Sequence, residues 1–360
     1  MAGSRPASRR RVPLPKTAPS PTRPPPPTAS SPEGGCTMTV KTYAEAVVDA
    51  LSGMFRADPN FHAIGRGILG HGGHERHAHA LMKEFGHRFT DPPTAEGATA
   101  SMGIGAAMSG CRMFVHFGTA SFSLEAWNQL INEAGVAHSM SGGQIRVPVV
   151  FHMYHGLRGG GSGQHSTSPQ GMMANNAGLI VMQPTSPRDV KGMLRAALKC
   201  DNPVVWIDHS ALLGRTGEVP DEDYEIPLGS AEVKRAGTDV TIVATSRAVL
   251  WALDAAEILA KDGISAEVVD PRTLVPLDEN TILTSIRKTG RLVTVDEAIQ
   301  TCSFGSEIAA LAAEKAHDAL KAPVARLARA ATPVPFSPPL EKAIAPSPES
   351  IAIAARRLMN

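Results

Sequence analysis

The chain has 360 residues, of which 42% are hydrophobic and 19% charged, with a formal net charge of +1. This length can bury one large core or two of medium size, and the small net charge gives no general argument for binding nucleic acid or an anionic membrane. No apolar run approaches the roughly 18 residues that span a bilayer, and the four cysteines contain no CxxC pair, which indicates reduced thiols in a cytoplasmic protein.

Residues 1–37 differ in composition from the rest, with ten prolines, six Arg or Lys residues and one acid, Glu33. Such a segment buries too little apolar surface to offset its ordering entropy, so we expect a disordered tail. Its Arg and Ser content resembles a transit peptide, but proline at this density would prevent the amphipathic helix. We expect the folded part to begin near Met38, which is a candidate initiating residue.

The chain then alternates between strand and helix patterns. Thr42 and Glu45 form a capping box that predicts a helix to about Arg56. Apolar strands are predicted at 113–117, 147–154, 179–183 and 204–208, and helices at 97–109, 122–137 and 186–200. Strands that are apolar throughout and separated by helices indicate a parallel sheet covered on both faces.

Residues 211–230 break this rhythm with Gly, Pro and a cluster of acids, which predicts a linker. A second, smaller alternation follows, with strands at 240–245, 266–270, 291–296 and 323–328 and helices at 248–261, 279–288 and 305–320. The predicted fold class is therefore α/β, with two consecutive domains of mainly parallel sheet.

One glycine-rich stretch carries a single histidine. Residues 158–170, RGGGSGQHSTSPQ, which we call the glycine loop, follow a predicted strand and contain His165. The loop fits neither the dinucleotide fingerprint nor the Walker motif nor the G-x-S-x-G elbow. It remains either a flexible surface loop or a loop that carries an acid or base to a ligand.

A second group of histidines offers a weaker candidate. His71, His74, His77, His79 and His87 lie close together in the sequence, but no HExxH motif is present. A solvated loop and helix face is favoured over a metal site here.

The order and spacing of several motifs resemble a known family. They include TAEGA, MSGGQIRVPVVF, GQHS, DNPVVW, DPRTLVPLD and PVPFSPPLE, and the resemblance extends from residue 40 to the end. The chain resembles the β subunit of thiamine-diphosphate-dependent 2-oxo acid dehydrogenases, in the transketolase-like superfamily. The resemblance implies a pyrimidine-binding domain over 38–215, a linker over 216–229 and a transketolase C-terminal-like domain over 230–360.

The resemblance also implies roles for three residues. The family's glutamate that touches the aminopyrimidine falls on Glu96, which would otherwise be interpreted as a helix cap. The aromatic that packs on the pyrimidine falls on Phe122, which would otherwise be a core residue. The QHS histidine falls on His165, facing the reacting carbon of the cofactor, where a side chain that exchanges protons near neutral pH is useful.

By resemblance, the chain would decarboxylate a 2-oxo acid together with an α subunit in an α2β2 heterotetramer and pass the acyl group to a lipoyl-bearing acyltransferase. The α subunit would hold Mg²⁺ with the cofactor's diphosphate through a GDG motif, which these 360 residues lack. No metal ligand is assigned in this chain, although a structural K⁺ near 201–206 is implied. Neither nucleic acid nor membrane is an expected partner.

Two positions depart from the family pattern. Arg66 stands where the family usually has an acid, and Asn175 replaces a histidine of the AH[IV]PG motif. These departures favour either altered substrate specificity or a non-catalytic scaffold paralogue, whereas the presence of Glu96, Phe122 and His165 favours an active subunit. A self-contained thiamine-diphosphate enzyme of the transketolase type is a weaker alternative, because the chain is too short to include the other cofactor domain.

Overall fold

The computed structural model describes residues 37–65, 67 and 75–360, apart from the side chains of residues 75–78. The expected tail up to residue 36 lies outside the described residues, as do Arg66, His71, His74 and the side chain of His77. His79 and His87 are exposed on a helix and the turn that follows it.

The first half of the chain alternates strands and helices, as the sequence predicts. The capping box is present, since the Glu45 N–H donates to Thr42 Oγ1 (3.2 Å) and the Thr42 N–H donates to the Glu45 carboxylate (2.8 Å). The elements are β1 (Met38–Thr42), α1 (Tyr43–Ala57), β2 (Phe61–Gly65), α2 (Glu75–Phe85), β3 (Phe89–Thr90), α3 (Glu96–Met108), β4 (Arg112–Thr119), α4 (Gly135–Met140), β5 (Val149–His155), α5 (Ser162–His165), α6 (Gln170–Ala174), β6 (Ile180–Met182), α7 (Pro187–Lys199), β7 (Val204–His209) and β8 (Thr216–Pro220).

A seven-stranded sheet forms the centre of this half, and one of its edge strands comes from the second half of the chain. The order is β12-β6-β7-β5-β4-β2-β3, where β12 spans Thr273–Val275, and every pairing except β12 with β6 is parallel. All residues of β5 and β7 are buried, which is typical of parallel strands covered on both faces. The prediction of a doubly covered parallel sheet is confirmed.

The second half forms a five-stranded sheet with its own helices. The elements are β9 (Glu232–Arg235), β10 (Val240–Ala244), α8 (Ala248–Ala260), β11 (Ala266–Asp270), α9 (Glu279–Thr289), β13 (Leu292–Ile299), α10 (Phe304–Lys315), β14 (Ala325–Arg329), α11 (Pro338–Ile344) and α12 (Pro348–Arg357). The strand order is β14-β13-β10-β11-β9, and the edge strand β9 is antiparallel. The α/β class with two mainly parallel sheets is therefore confirmed.

The segment interpreted as a linker contains a strand. β8 pairs antiparallel with β1, from Met38 opposite Pro220 to Thr42 opposite Thr216. The two strands are separated by most of the first half of the chain, so local sequence patterns carry no signal for this pairing.

The stretch predicted as one helix over 122–137 is irregular. It consists of a 3₁₀ turn at Phe122–Ala126, a π-helical turn at Gln129–Ala134 and then α4. At the start of α4 the backbone touches a loop glycine so closely that a Cβ added to Gly178 would lie 1.8 Å from the Gly135 carbonyl oxygen. The segment that begins with Phe122 is therefore packed directly against the loop before β6.

Replacing Gly178 by alanine is expected to destabilise the fold by roughly 2–6 kcal/mol, because a left-handed φ and overpacking each cost about 1–3 kcal/mol. Gly178 has φ +89°. Gly110 is the matched control, since its φ is +104° but an added Cβ would meet no atom of the described residues within 4 Å. Urea unfolding gives the free energy of unfolding of both variants. The Gly110 variant measures the cost of backbone strain alone, and the additional loss in the Gly178 variant measures the cost of the clash. Equal losses in the two variants would show that the Gly178–Gly135 contact contributes nothing.

Candidate active site at the carboxyl edge of the seven-stranded sheet

The three residues singled out in the sequence line one cavity of about 840 Å³. Glu96 follows β3 and is the first residue of α3, Phe122 follows β4, and His165 follows β5. These strands belong to the parallel part of the sheet, so their carboxyl ends meet at one edge. That edge is where open α/β sheets bind ligands.

The cavity wall is aromatic on one side. The Phe122 ring meets the His165 ring edge-to-face, with centroids 5.4 Å apart and an interplanar angle of 77°. Phe117 is 5% exposed and stacks on Phe151, so it lies in the core, but it also borders the cavity. The site therefore presents apolar faces beside the Glu96 carboxyl group, a combination that suits a flat heteroaromatic ring.

The glycine loop also lines the cavity. Gly159 and Gly160 have φ values of +78° and +116°, and a Cβ at Gly160 would lie 3.4 Å from the Phe336 carbonyl oxygen. The added Cβ would make only an ordinary contact there, so it is the positive φ of the turn that favours glycine. His165 ends the single helical turn α5 and is exposed.

Two further lining residues were not identified from the sequence. Arg158 precedes the glycines, donates to the Tyr154 carbonyl oxygen (2.8 Å), and has its pKa lowered by burial. Phe336, 76% exposed, comes from the C-terminal half. Arg158 could have been noticed from its place beside the glycines, whereas the separation of Phe336 in the sequence gives no local signal.

Asn175 is not among the residues that line this cavity. It directly follows α6, is exposed, and borders a separate groove with Leu274 and Cys302. The histidine-to-asparagine departure therefore lies away from Glu96, and Arg66 lies outside the described residues.

A row of buried titratable side chains crosses the sheet behind the cavity. His116 Nδ1 and His152 Nδ1 are 2.8 Å apart, and His152 Nε2 lies 3.5 Å from Asp208 Oδ2. Burial raises the pKa of Asp208 to about 7, against the opposing hydrogen bonds from the His209 N–H and Tyr43. His116 and Glu96 also border a small cavity of about 30 Å³, which can hold one water.

Asp208→Asn is expected to remove part of the pH dependence of stability. A carboxyl group with a raised folded pKa contributes stability that is fully present below its unfolded pKa of about 4 and is lost as pH rises through the folded pKa of about 7. Relative to the parent, the variant should gain roughly 2–4 kcal/mol in unfolding free energy between about pH 4 and pH 8. Urea titrations at several pH values measure this gain, with exposed Asp254→Asn as the control. A variant-minus-parent difference that is flat with pH would contradict the assignment.

The chain matches two family models in tandem. Residues 40–214 match the transketolase pyrimidine-binding domain, and residues 229–351 match the transketolase C-terminal domain. Among solved structures, the fold is similar to one described as a split-gene transketolase, inactive β4 tetramer, with a TM-score of 0.71 and 23% identity over 88% of this chain and 97% of that one. At this identity the structural match supports the fold alone.

Curated relatives are more similar in sequence. The chain is 39% identical to subunit beta-1 of the mitochondrial pyruvate dehydrogenase E1 component of Oryza sativa subsp. japonica, over 88% of this chain and 86% of the relative. Two proteins of Bacillus subtilis are also similar. The beta subunit of acetoin:2,6-dichlorophenolindophenol oxidoreductase is 37% identical, over 89% of this chain and 98% of its own length. The beta subunit of 2-oxoisovalerate dehydrogenase is 38% identical, over 89% and 99%.

Proposed function

The chain belongs to the family of β subunits of thiamine-diphosphate-dependent 2-oxo acid dehydrogenases, and on this premise we propose that it works with an α subunit to decarboxylate a 2-oxo acid. The observation that carries the proposal is the meeting of Glu96, Phe122 and His165 around one cavity. The acyl group would pass to a lipoyl group, which makes the chain part of an oxidoreductase. Pyruvate, a branched-chain oxo acid and an acetoin-type compound are the candidate substrates.

The residues present fit one half of thiamine diphosphate. The Glu96 carboxyl group beside the faces of Phe117 and Phe122 suits an aminopyrimidine ring, which needs a polar partner at its edge and apolar contact on its face. A diphosphate is usually held through a divalent cation with oxygen ligands. Within the part of the chain that the structure describes, no cluster of three or more His, Cys, Asp or Glu side chains could hold such a cation.

When bound, thiamine diphosphate supplies the ring that stabilises the negative charge left by decarboxylation. In our proposal, Glu96 exchanges a proton with a nitrogen at the edge of the pyrimidine, and Phe122 packs against the face of that ring. His165 donates a hydrogen bond or a proton to the substrate or the lipoyl group. Arg158 adds a positive charge to the lining, which suits a substrate carboxylate.

We also propose partner proteins and ions for this chain. The α subunit would bring Mg²⁺ and the diphosphate site, the assembly would be α2β2, and a lipoyl-bearing acyltransferase would accept the acyl group. A structural K⁺ near 201–206 and a cytoplasmic location also remain proposals. In the described part of the chain, no helix is long and apolar enough to cross a membrane. We further propose domain limits of 38–215 and 230–360, with a linker over 216–229.

Co-expression with a family α subunit tests this function. The complex should release CO₂ from pyruvate or a branched-chain oxo acid, or an aldehyde from an acetoin-type compound, which has no carboxylate to lose. In each case it should reduce added lipoyl groups, because the carboxyl, aromatic and imidazole groups are all present. A complex that assembles without turning over any of them would contradict the proposal and favour the scaffold paralogue. Turnover without reduction of lipoyl groups would favour another thiamine-diphosphate reaction.

A further inference from the structure

The glycine loop is held by a carboxylate from the far end of the chain. The N–H groups of Gly159 and Gly160 donate to the two carboxylate oxygens of Glu341, at 2.6 Å and 2.7 Å. Glu341 lies in the first turn of α11 and is only 3% exposed. Both glycines have positive φ values, and successive N–H groups presented by such a turn form a concave site for an anion.

This contact is stronger than an ordinary loop hydrogen bond. Each oxygen of the Glu341 carboxylate receives its own N–H group, so the pair is bidentate and charge-assisted. Because the carboxylate is almost fully buried, water cannot readily replace a lost partner. Removing either side of the contact should therefore free the loop backbone.

Leu157, directly before the glycine loop, is bonded to two side chains from the second half of the chain. The Leu157 N–H donates to Glu297 Oε1 (2.7 Å), and Arg247 donates to the Leu157 carbonyl oxygen (3.1 Å). Burial would raise the pKa of Glu297, but His209 and the Leu157 N–H outweigh it and lower the pKa to about 2. The loop thus leaves β5 from a fixed point, and Glu341 adds a second anchor five residues before His165.

We propose that Glu341 is a positioning residue for His165. By holding Gly159 and Gly160, its carboxylate sets the path of the backbone that carries the imidazole to the cavity beside Phe122. The effect of Glu341 on catalysis rests on the function proposed above. The hold on the loop, however, can be measured without any turnover.

Hydrogen exchange of the full-length chain, followed by mass spectrometry, tests the hold. Glu341→Gln keeps the size but leaves one N–H facing an amide NH₂ group. Exchange over residues 157–166 should rise by at least about tenfold, as expected for the loss of a hydrogen bond to a charged group. Glu341→Asp keeps the negative charge, but its side chain is one methylene shorter. The rise in loop exchange should therefore be intermediate between those of the parent and Glu341→Gln. Glu349→Gln is the matched control, because this exposed glutamate lies in the first turn of the next helix and should leave the loop unchanged.

Unchanged loop exchange in Glu341→Gln would overturn the proposal. A rise spread over the whole C-terminal half would also overturn it, because Glu341 would then only stabilise that half. If Glu341→Gln does not fold, Glu341→Asp decides by the same criteria.

Kinetics of the α/β complex then test the positioning role. Glu341→Gln should lower kcat by about 10- to 100-fold, as a misplaced catalytic group does, with KM for the oxo acid nearly unchanged. If kcat is retained while the loop exchanges fast, the positioning role is wrong and the proposed function stands. If the parent complex is inactive, the proposed function fails, and loop exchange still decides whether Glu341 holds the loop.

Discussion

Glu96→Gln in the α/β complex is expected to lower turnover by about 10²–10⁴-fold, the usual contribution of a positioned acid or base. Glutamine keeps the size of the side chain and one hydrogen bond, but it cannot exchange a proton with the edge of the pyrimidine. We expect assembly and thermal stability to be preserved, because the N-cap of α3 is Ala95 and not Glu96. In the assembled complex, turnover should fall, and so should the exchange rate of the proton on C2 of the cofactor's thiazolium ring.

Glu279→Gln is the matched control for this change. Glu279 is likewise the first residue of a helix and is also half-buried, but it lies outside the cavity that Glu96 lines. If Glu96→Gln keeps turnover and C2 exchange within a factor of about two, Glu96 acts only at the start of its helix. The site assignment would then be wrong.

His165→Ala is expected to lower turnover by a comparable factor of about 10²–10⁴, because the imidazole is the proposed donor to the substrate or lipoyl group. Cofactor binding should change little, since His165 meets Phe122 in an edge-to-face contact and is exposed on the loop. Single-turnover assays with and without a lipoyl acceptor show which step is slowed.

The exposed residue His317 provides the control, because it lies on a turn of the second half, away from the cavity. His317→Ala should behave as the parent does. Equal kinetics for His165→Ala and the parent would leave His165 as an ordinary surface histidine.

Local signals predicted most of the regular elements. The capping box at Thr42 and Glu45 is formed within four residues, so it could be recognised without knowledge of the fold. The same holds for Ser186, whose side chain caps α7 with Pro187 at its first position. Runs of apolar residues predicted the central strands because both faces of a parallel sheet are buried.

Contacts between distant segments could not be predicted in this way. The pairing of β1 with β8 joins residues far apart in the sequence, and the π-helical turn at Gln129–Ala134 interrupts a segment with an ordinary helical pattern. Glu341 is an example at the site, because a glutamate in a short helix gives no sign that two glycines will meet it. Motifs indicated Glu96, Phe122 and His165, but only the parallel order of β3, β2, β4 and β5 explains why they converge.

Cofactor binding by the lone chain and by the α/β complex tests the central claim most directly. We propose that this chain supplies only the pyrimidine half of the site, since no GDG motif occurs in its 360 residues. Calorimetric titration with thiamine diphosphate and Mg²⁺ should show binding to the complex and none to the lone chain at micromolar cofactor. Binding and turnover by the purified chain without an α subunit would contradict the account.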